Sequence, residues 1–314
     1  MYDGVINVYK EKGYTSFEVI ARLRGILKQK KIGHTGTLDP DAEGVLVVCL
    51  GSATKLCDLL TDKDKSYEAV LLLGKTTDTE DSSGKIISES EVNVSENEVR
   101  KTIMSFVGEY DQIPPMYSAI KINGKKLYEL ARQGIEIERQ PRRVVIHDID
   151  ISDISLPYVR FSVKCGKGTY IRSLCRDIGE KLCCGGIMDS LVRSSVNVSD
   201  TGFDFLLEDA IKLDDIEKLE IEGRLAEHIL TIDKLFPKLS RVCVKEQGAR
   251  KLLNGNILGS NDIIKDISDD IRFDSLPQEH DGDKCLVYDH VGTFKAIYSY
   301  DKKINAWKAW KMFL

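Results

Sequence analysis

Residues 33–44 read GHTGTLDPDAEG, a sequence typical of a sharp turn. Residues 45–50 follow with VLVVCL, an uninterrupted apolar run. Three glycines in the first part permit backbone conformations that other residues avoid, and Pro40 fixes the chain just after Asp39. The six apolar residues that follow are typical of a strand buried on both faces. A carboxylate on such a turn points in a fixed direction, so Asp39 is the first candidate for a nucleophile or a general acid/base. A plain turn, or an N-cap role for Asp39, is the alternative.

Apolar patterning around this turn predicts several strands. They are expected at residues 4–9, 45–50, 66–73, 143–151 and 158–165. The second and third are uninterrupted apolar runs and should be central in a sheet. The last two alternate apolar and polar residues on either side of a turn at Pro157, so they should pair in antiparallel.

Helices are expected between these strands. Capping boxes at Thr15–Glu18 and Ser95–Glu98 each begin one helix, and another should run from Thr169 to the Gly185-Gly186 stop. The sequence Ile122-Asn123-Gly124-Lys125 predicts a hairpin, because Asn-Gly accommodates the positive φ angles of a type I′ turn. No fixed repeat is present. We therefore expect an α+β fold with a mixed, largely antiparallel sheet and flanking helices.

The length of 314 residues predicts two domains. The acidic stretch at 200–233 is expected to form surface helices that lead to a boundary near Phe236-Pro237. The domains would then be residues 1–237 and 238–314. Short strand signals make the second one a small β-rich module, with strands at 241–244, 285–288 and 296–300.

Composition excludes several classes of protein. Hydrophobic residues at 42% and charged residues at 30% describe a globular chain, and no apolar run approaches the ~20 residues of a membrane-spanning helix. The first residues lack a secretory signal, so we expect a cytoplasmic protein without a membrane partner. The eight cysteines include no Cys-x-x-Cys pair and no zinc-finger spacing, so they should be buried hydrophobes and no metal is expected. Nucleotide-binding fingerprints and a serine-hydrolase elbow are also missing.

The net charge of -5 taken as a whole argues against a nucleic-acid partner, but the charge is unevenly distributed along the chain. Residues 1–197 carry 28 basic and 28 acidic side chains, whereas residues 198–233 carry 3 and 11. Within the neutral part, residues 121–143 form a candidate basic strip. Its cations are Lys121, Lys125, Lys126, Arg132, Arg139, Arg142 and Arg143. An ordinary solvated face is the alternative interpretation.

Five blocks in order resemble the pseudouridine synthases of the TruB type, over about residues 4 to 195. The first is the turn that contains Asp39. The others are DKSY at 64–67, GKTTDTEDSSG at 74–84, QIPPMYSA at 112–119 with KKLYE at 125–129, and CGKGTYIRSL at 165–174. One departure is Glu11, which stands where the family usually has proline and puts the rigidity of that loop in question. The second domain resembles the small β-barrel RNA-binding module called PUA.

The resemblance implies a pseudouridine synthase catalytic fold and roles for several residues. Asp39 would be the nucleophile, and Tyr67 would pack against the target base and move a proton. Arg172 would pair with Asp39 and lower its pKa, with Asp81 bracketing this arginine. A reaction that only breaks and reforms a bond within one nucleoside needs no cofactor, metal or energy source.

The resemblance also implies tRNA as the substrate, modified at position 55 in the T-loop of its T-arm. A stacked uridine must leave its RNA loop to react; His34 would fill the disrupted loop, and Leu191 would lie near the pocket. The strip that includes Lys121, Lys125, Lys126, Arg142 and Arg143 would hold the RNA backbone. We expect a monomer. A guide-RNA-dependent enzyme is disfavoured by the lack of a long Lys-rich tail. A catalytically inactive protein that binds or folds RNA would not require the combination of Asp39, Tyr67 and Arg172.

Overall fold

The computed structural model describes residues 1–122, 124–198, 203–264 and 280–314. Within these ranges the chain forms nineteen strands, which are β1 (Gly4–Lys10), β2 (Ile32–Thr35), β3 (Glu43–Leu50), β4 (Asp64–Leu73), β5 (Lys75–Thr77), β6 (Ile86–Glu89), β7 (Gly108–Gln112), β8 (Lys121–Ile122), β9 (Lys125–Lys126), β10 (Arg142–Ser155), β11 (Tyr158–Cys165), β12 (Gly186–Val198), β13 (Phe203–Leu206), β14 (Ile211–Lys212), β15 (Ser240–Val244), β16 (Ile263–Ile264), β17 (Lys284–Tyr288), β18 (Phe294–Asp301) and β19 (Ala306–Met312). The α-helices in the same ranges are α1 (Ser16–Leu27), α2 (Cys57–Thr61), α3 (Glu96–Met104), α4 (Leu127–Arg132), α5 (Ile171–Lys181), α6 (Leu213–Ile221) and α7 (Ala249–Leu253).

One large mixed sheet dominates the fold. Its main path runs β14-β1-β3-β12-β4-β11-β10-β7, with β2 paired to β3 and β13 paired to β12. The β1–β14 and β3–β12 pairs are parallel and the others antiparallel. Both β3 and β4 have neighbours on each side. The predicted α+β fold, the central position of these two strands and the antiparallel β10–β11 pair are confirmed.

Helices cover the sheet where its strands present apolar side chains. Along β11 buried and exposed residues alternate strictly, and the buried ones join a cluster that includes α3 and α5. The α1 helix begins at its predicted capping box and packs with α6 against β1 and β3. At the closest approach of α5 to β12, a Cβ on Gly179 would lie 2.1 Å from the backbone nitrogen of Gly186. Only glycine fits there, which fixes α5 against the sheet.

The α5 helix begins at Ile171 and ends at Lys181, so it is slightly shorter than the predicted span. The predicted hairpin is formed by β8 and β9, and Gly124 has φ +82°. Asn123 lies outside the described residues. The prediction of surface helices at 200–233 is wrong in part, because β13 and β14 join the large sheet and α6 is the one α-helix in the described portion of that stretch.

The C-terminal residues form a second sheet in the order β16-β15-β17-β18-β19. The three predicted strands are confirmed as β15, β17 and β18, but a closed barrel is not found among the strands of the described ranges. Phe313 and Ile297 from this part share a buried apolar cluster with Val5, Val45 and Leu235. In the part of the chain that the structure covers, none of the helices combines the length and apolar character needed to cross a membrane.

Candidate active site

The structure brings Asp39 and Arg172 together from positions 133 residues apart. Asp39 lies on the loop between β2 and β3, and Arg172 lies in the first turn of α5. The guanidinium Nε is 2.9 Å from Oδ2, and Nη2 donates to Oδ1 at 3.1 Å. The arginine side chain is 5% exposed and that of Asp39 37%. Such a two-point contact fixes the direction of the carboxylate.

Three further groups hold Arg172 in place. Nη1 donates to the carbonyl of Thr79 at 3.1 Å, and Nη2 donates to that of Tyr117 at 2.8 Å. The Asp81 carboxylate lies 3.9 Å from Nε. The arginine therefore connects the Asp39 loop to the 74–84 loop and to the segment that precedes β8. Asp81 brackets it at the distance of a weak ion pair.

Burial raises the pKa of Asp39 above its usual range. The Arg172 guanidinium opposes this shift, and the negative charge of Asp81 adds to it. The prediction that Arg172 gives this carboxyl a lowered pKa is wrong, because the loss of water outweighs the attraction of the cation.

The Asp39 loop is anchored by the start of the chain. The buried Lys10 ammonium donates to the carbonyls of Pro40, at 3.0 Å, and Ala42. The backbone nitrogen of Gly13 donates to the same Pro40 carbonyl at 2.9 Å. Burial lowers the pKa of Lys10 to about 8, while the charge of Asp39 opposes this. Lys10 and Gly13 therefore tie the Asp39 loop to the segment that contains Glu11.

Tyr67 and Leu191 are both buried near the carboxylate, and of the two Leu191 lines the cleft described below. They lie on the adjacent strands β4 and β12 and pack in one buried cluster with Leu38 and Ala42. Burial raises the pKa of the Tyr67 phenol to about 12, and the charge of Arg193 opposes the rise. The phenol is therefore protonated at neutral pH.

A cleft of about 210 Å³ opens at this point. Its lining includes Asp39, Asp81 and Leu191, together with Lys12, Asp41, Ala42, Ser82, Ser83, Met188, Asp189 and Ser190. The cleft combines a fixed carboxylate with a mostly polar lining, in which Ala42, Met188 and Leu191 are the apolar residues. It can accept a planar, partly apolar group and present an oxygen nucleophile or base to it.

His34 lies on β2, half-buried, and its Nδ1 has no hydrogen-bond partner among the described residues. Burial, and then the charge of Arg193, lower the pKa of its imidazole. The ring is therefore neutral at neutral pH, which suits stacking rather than ion pairing.

The cations of the basic strip lie on β8, β9, α4, β10 and the segment between α4 and β10. Lys121 and Lys125 are exposed on the β8–β9 hairpin and have no ion pair within the described residues, while Lys126 lies 5.3 Å from the ring centre of Tyr128. Arg142 is exposed on β10. Its neighbour Arg143 pairs with Asp111 at 2.7 Å and with Glu109 at 3.2 Å, so this charge is already compensated.

Two buried cations, Lys65 and Arg193, were not predicted from the sequence. Arg193 is 1% exposed on β12, and the Lys65 ammonium donates to the carbonyls of Thr61 and Lys63. For Arg193 the available signal was a charged residue at a position where the segment 186–198 alternates with apolar residues such as Leu191. Of the eight cysteines, six are buried as expected, Cys57 is partly exposed and Cys183 exposed.

The fold is that of the pseudouridine synthases. The family model for the N-terminal domain of TruB family pseudouridylate synthases matches residues 24–171. A solved Cbf5-Nop10-Gar1 complex contains a chain with a TM-score of 0.68 and 26% identity, over 99% of this chain and 85% of that one.

Relatives similar over most of their length bear one name, tRNA pseudouridine synthase B. That of Lachnoclostridium phytofermentans is 52% identical over 99% of this chain and 100% of its own. That of Clostridium acetobutylicum is 46% identical over 85% of this chain and 89% of its own. The chain belongs to the TruB family of pseudouridylate synthases, which are isomerases.

Proposed function

We propose that this enzyme converts uridine to pseudouridine at position 55 in the T-loop of tRNA, without a cofactor and with Asp39 as nucleophile. The observation that carries the proposal is the two-point contact of Arg172 with a carboxylate that lines a cleft. The name shared by relatives at 46–52% identity supports tRNA as the substrate.

Three side chains, those of Asp39, Arg172 and Tyr67, carry out the reaction. The ionised Asp39 attacks either the anomeric carbon of the sugar or the ring, and the bond from sugar to base nitrogen breaks. The base turns, its ring carbon bonds to the sugar, and the bond to Asp39 breaks so that the carboxylate is free again. The ring carbon then loses its proton while the freed nitrogen gains one. Arg172 holds the carboxylate in line. Tyr67, protonated at neutral pH, packs against the base and relays a proton.

The target uridine must leave its stack, which costs a few kcal/mol. We assign His34 to the space left in the RNA loop and Leu191 to contact with the extruded base. The free cations Lys121 and Lys125, with Lys126, Arg142 and Arg143, bind phosphates without selecting sequence. Residues 238–314 act as a PUA-like RNA-binding domain after a boundary at 237. The enzyme works in the cytoplasm as a monomer.

Two alternative functions have weaker support. A chain of the H/ACA RNP bound to a substrate RNA shares the fold at 24% identity and a TM-score of 0.66, which does not extend to its mode of action. The much higher identity to relatives named as tRNA enzymes favours action on tRNA without a guide RNA. A silent RNA-binding protein would have no use for a nucleophile fixed by a buried arginine.

The test combines activity with binding. Unmodified tRNA transcript is incubated with enzyme and EDTA, without guide RNA, and the nucleosides are separated and identified by mass. We expect pseudouridine at position 55 from the wild type and from Asp150→Asn, an exposed carboxylate on β10. Asp39→Asn should bind tRNA within about 3-fold of the wild type and turn over at least ~10³-fold more slowly. An active Asp39→Asn enzyme would refute the nucleophile assignment, and tRNA binding without product from the wild type would favour a silent binder.

A further inference from the structure

A fully buried guanidinium lies between the Asp39 loop and Tyr67. Arg193 is 1% exposed, and within the described residues it makes no ion pair with a carboxylate. Burying a cation without a counter-ion is costly, so a fold that merely needed to fill this space would use an apolar side chain. The guanidinium therefore calls for an explanation in terms of what it contacts.

The contacts of Arg193 connect the segment around Asp39 to the strand that carries Tyr67. Nε donates to the carbonyl of Val45 at 2.6 Å, and Nη2 donates to that of Gly36 at 3.1 Å. These carbonyls lie on either side of Asp39. The guanidinium also lies close enough to the Tyr67 hydroxyl for its charge to oppose the rise in the pKa of the phenol.

Strand register explains this reach. Arg193 lies opposite Tyr67 in the pairing of β12 with β4, and opposite Gly44 in the pairing of β12 with β3. Residues opposite one another in an antiparallel pair project from the same face. A Cβ on Gly44 would lie 2.3 Å from the Arg193 carbonyl oxygen, so glycine is required for β12 to approach the end of the Asp39 loop this closely.

We propose that Arg193 is a positioning residue that aligns the Tyr67 hydroxyl with Asp39. An arginine has donors and no acceptor, so in the alignment we propose the phenol oxygen accepts from Arg193. The phenol hydrogen must then point away from Arg193. The contact fixes the direction in which Tyr67 offers its proton, and the contact with Gly36 ties that direction to the nucleophile's loop. This inference rests on the role proposed for Tyr67.

The discriminating variant is Arg193→Lys, which keeps the charge but cannot reach Val45, Gly36 and Tyr67 together. Loss of a charge-assisted hydrogen bond should slow pseudouridine formation by about 10- to 100-fold under enzyme excess, with tRNA affinity within about 3-fold. The matched control is Arg24→Lys, whose guanidinium also donates to two backbone carbonyls, those of Lys30 and Ile32, away from Tyr67. It should keep its rate. Thermal unfolding of each variant checks that the fold is intact.

A double-mutant cycle with Tyr67→Phe separates positioning from a general structural effect. If Arg193 acts through the hydroxyl, Arg193→Lys should cost less than about 3-fold in the Tyr67→Phe background. Since enzymes typically turn over at ~10 s⁻¹, day-long incubation under enzyme excess still detects rates ~10⁵-fold lower. An equal loss in both backgrounds, or a loss below about 3-fold in the wild type, overturns the inference. A fully active Tyr67→Phe enzyme would instead overturn the proposed role of Tyr67.

Discussion

Replacing Arg172 tests the pairing on which the proposed chemistry depends. Arg172→Met removes both hydrogen bonds to Asp39, as well as those to Thr79 and Tyr117. Arg172→Lys keeps the charge and at most one of the two bonds to the carboxylate. Comparing these two variants therefore separates the contribution of hydrogen-bond geometry from that of charge.

The size of the effect follows from the number of bonds lost. A charge-assisted hydrogen bond contributes about 1.5 to 3 kcal/mol, and the lower figure applies here because the Asp39 side chain is 37% exposed. Two bonds then amount to about 3 kcal/mol, or ~150-fold in single-turnover rate, for Arg172→Met. One bond, or ~10-fold, is expected for Arg172→Lys.

The same variants change the pH dependence. The reacting form of Asp39 is ionised and burial already raises its pKa, so the rate should fall as pH decreases through a value above that of an ordinary aspartate. Arg172 opposes that rise. Arg172→Met should move the acid limb of the profile to still higher pH, and Arg172→Lys should move it less.

Single-turnover rates between pH 4.5 and 8 measure both effects, with circular dichroism and thermal unfolding to confirm folding. Arg160→Met, at an exposed arginine on β11, is the control and should match the wild type. The reasoning fails if Arg172→Met stays within about 3-fold of the wild type at neutral pH, or if its acid limb does not move.

Other predictions concern the anchoring of the loop, the second sheet and the RNA contacts. The rate should fall as pH rises past about 8, since Lys10 then loses the charge that holds the Asp39 loop; a profile that stays flat to pH 9.5 would contradict this. Phe313→Ala should lower the free energy of unfolding by about 3 kcal/mol, because its ring is buried in the cluster shared by both sheets, and denaturant titration would show otherwise if stability were unchanged. Replacing Lys121 and Lys125 together with Gln should weaken tRNA binding and make its salt dependence shallower by about 1 to 2 in log–log slope. Arg143→Gln, whose charge is already paired, should do so less; an equal effect would show that its ion pairs open when RNA binds.

Local sequence patterns predicted five of the ten strands of the main sheet. The capping box at Thr15 and the strands at 45–50 and 66–73 depend on neighbouring residues, and each lies where it was expected. The strand at Phe203–Leu206 was missed because its acidic surroundings dominate the composition. It is a strand because it pairs with β12, which no local pattern reveals.

The candidate site was predicted unevenly. Turn chemistry singled out Asp39, but its partner Arg172 came from family resemblance, since nothing local relates residues 133 positions apart. The direction of the Asp39 pKa depends on burial, which only the folded chain provides. Arg193 was missed for a related reason. A charged residue in a strand normally faces water, and its burial against Tyr67 depends on how three strands align.

Between its two register shifts, at Met188/Ser190 and Arg193/Ser195, strand β12 leaves no freedom for a change in its length. Leu191 and Arg193 are both buried on the inner face because β3 and β4 hold β12 in this alignment. Inserting or deleting a single amino acid would carry Val192 to the inner face and swing the guanidinium to the opposite side. Natural insertions are therefore expected to accumulate in peripheral hairpins such as β5–β6, while the number of residues in β12 stays constant wherever the chemistry is kept.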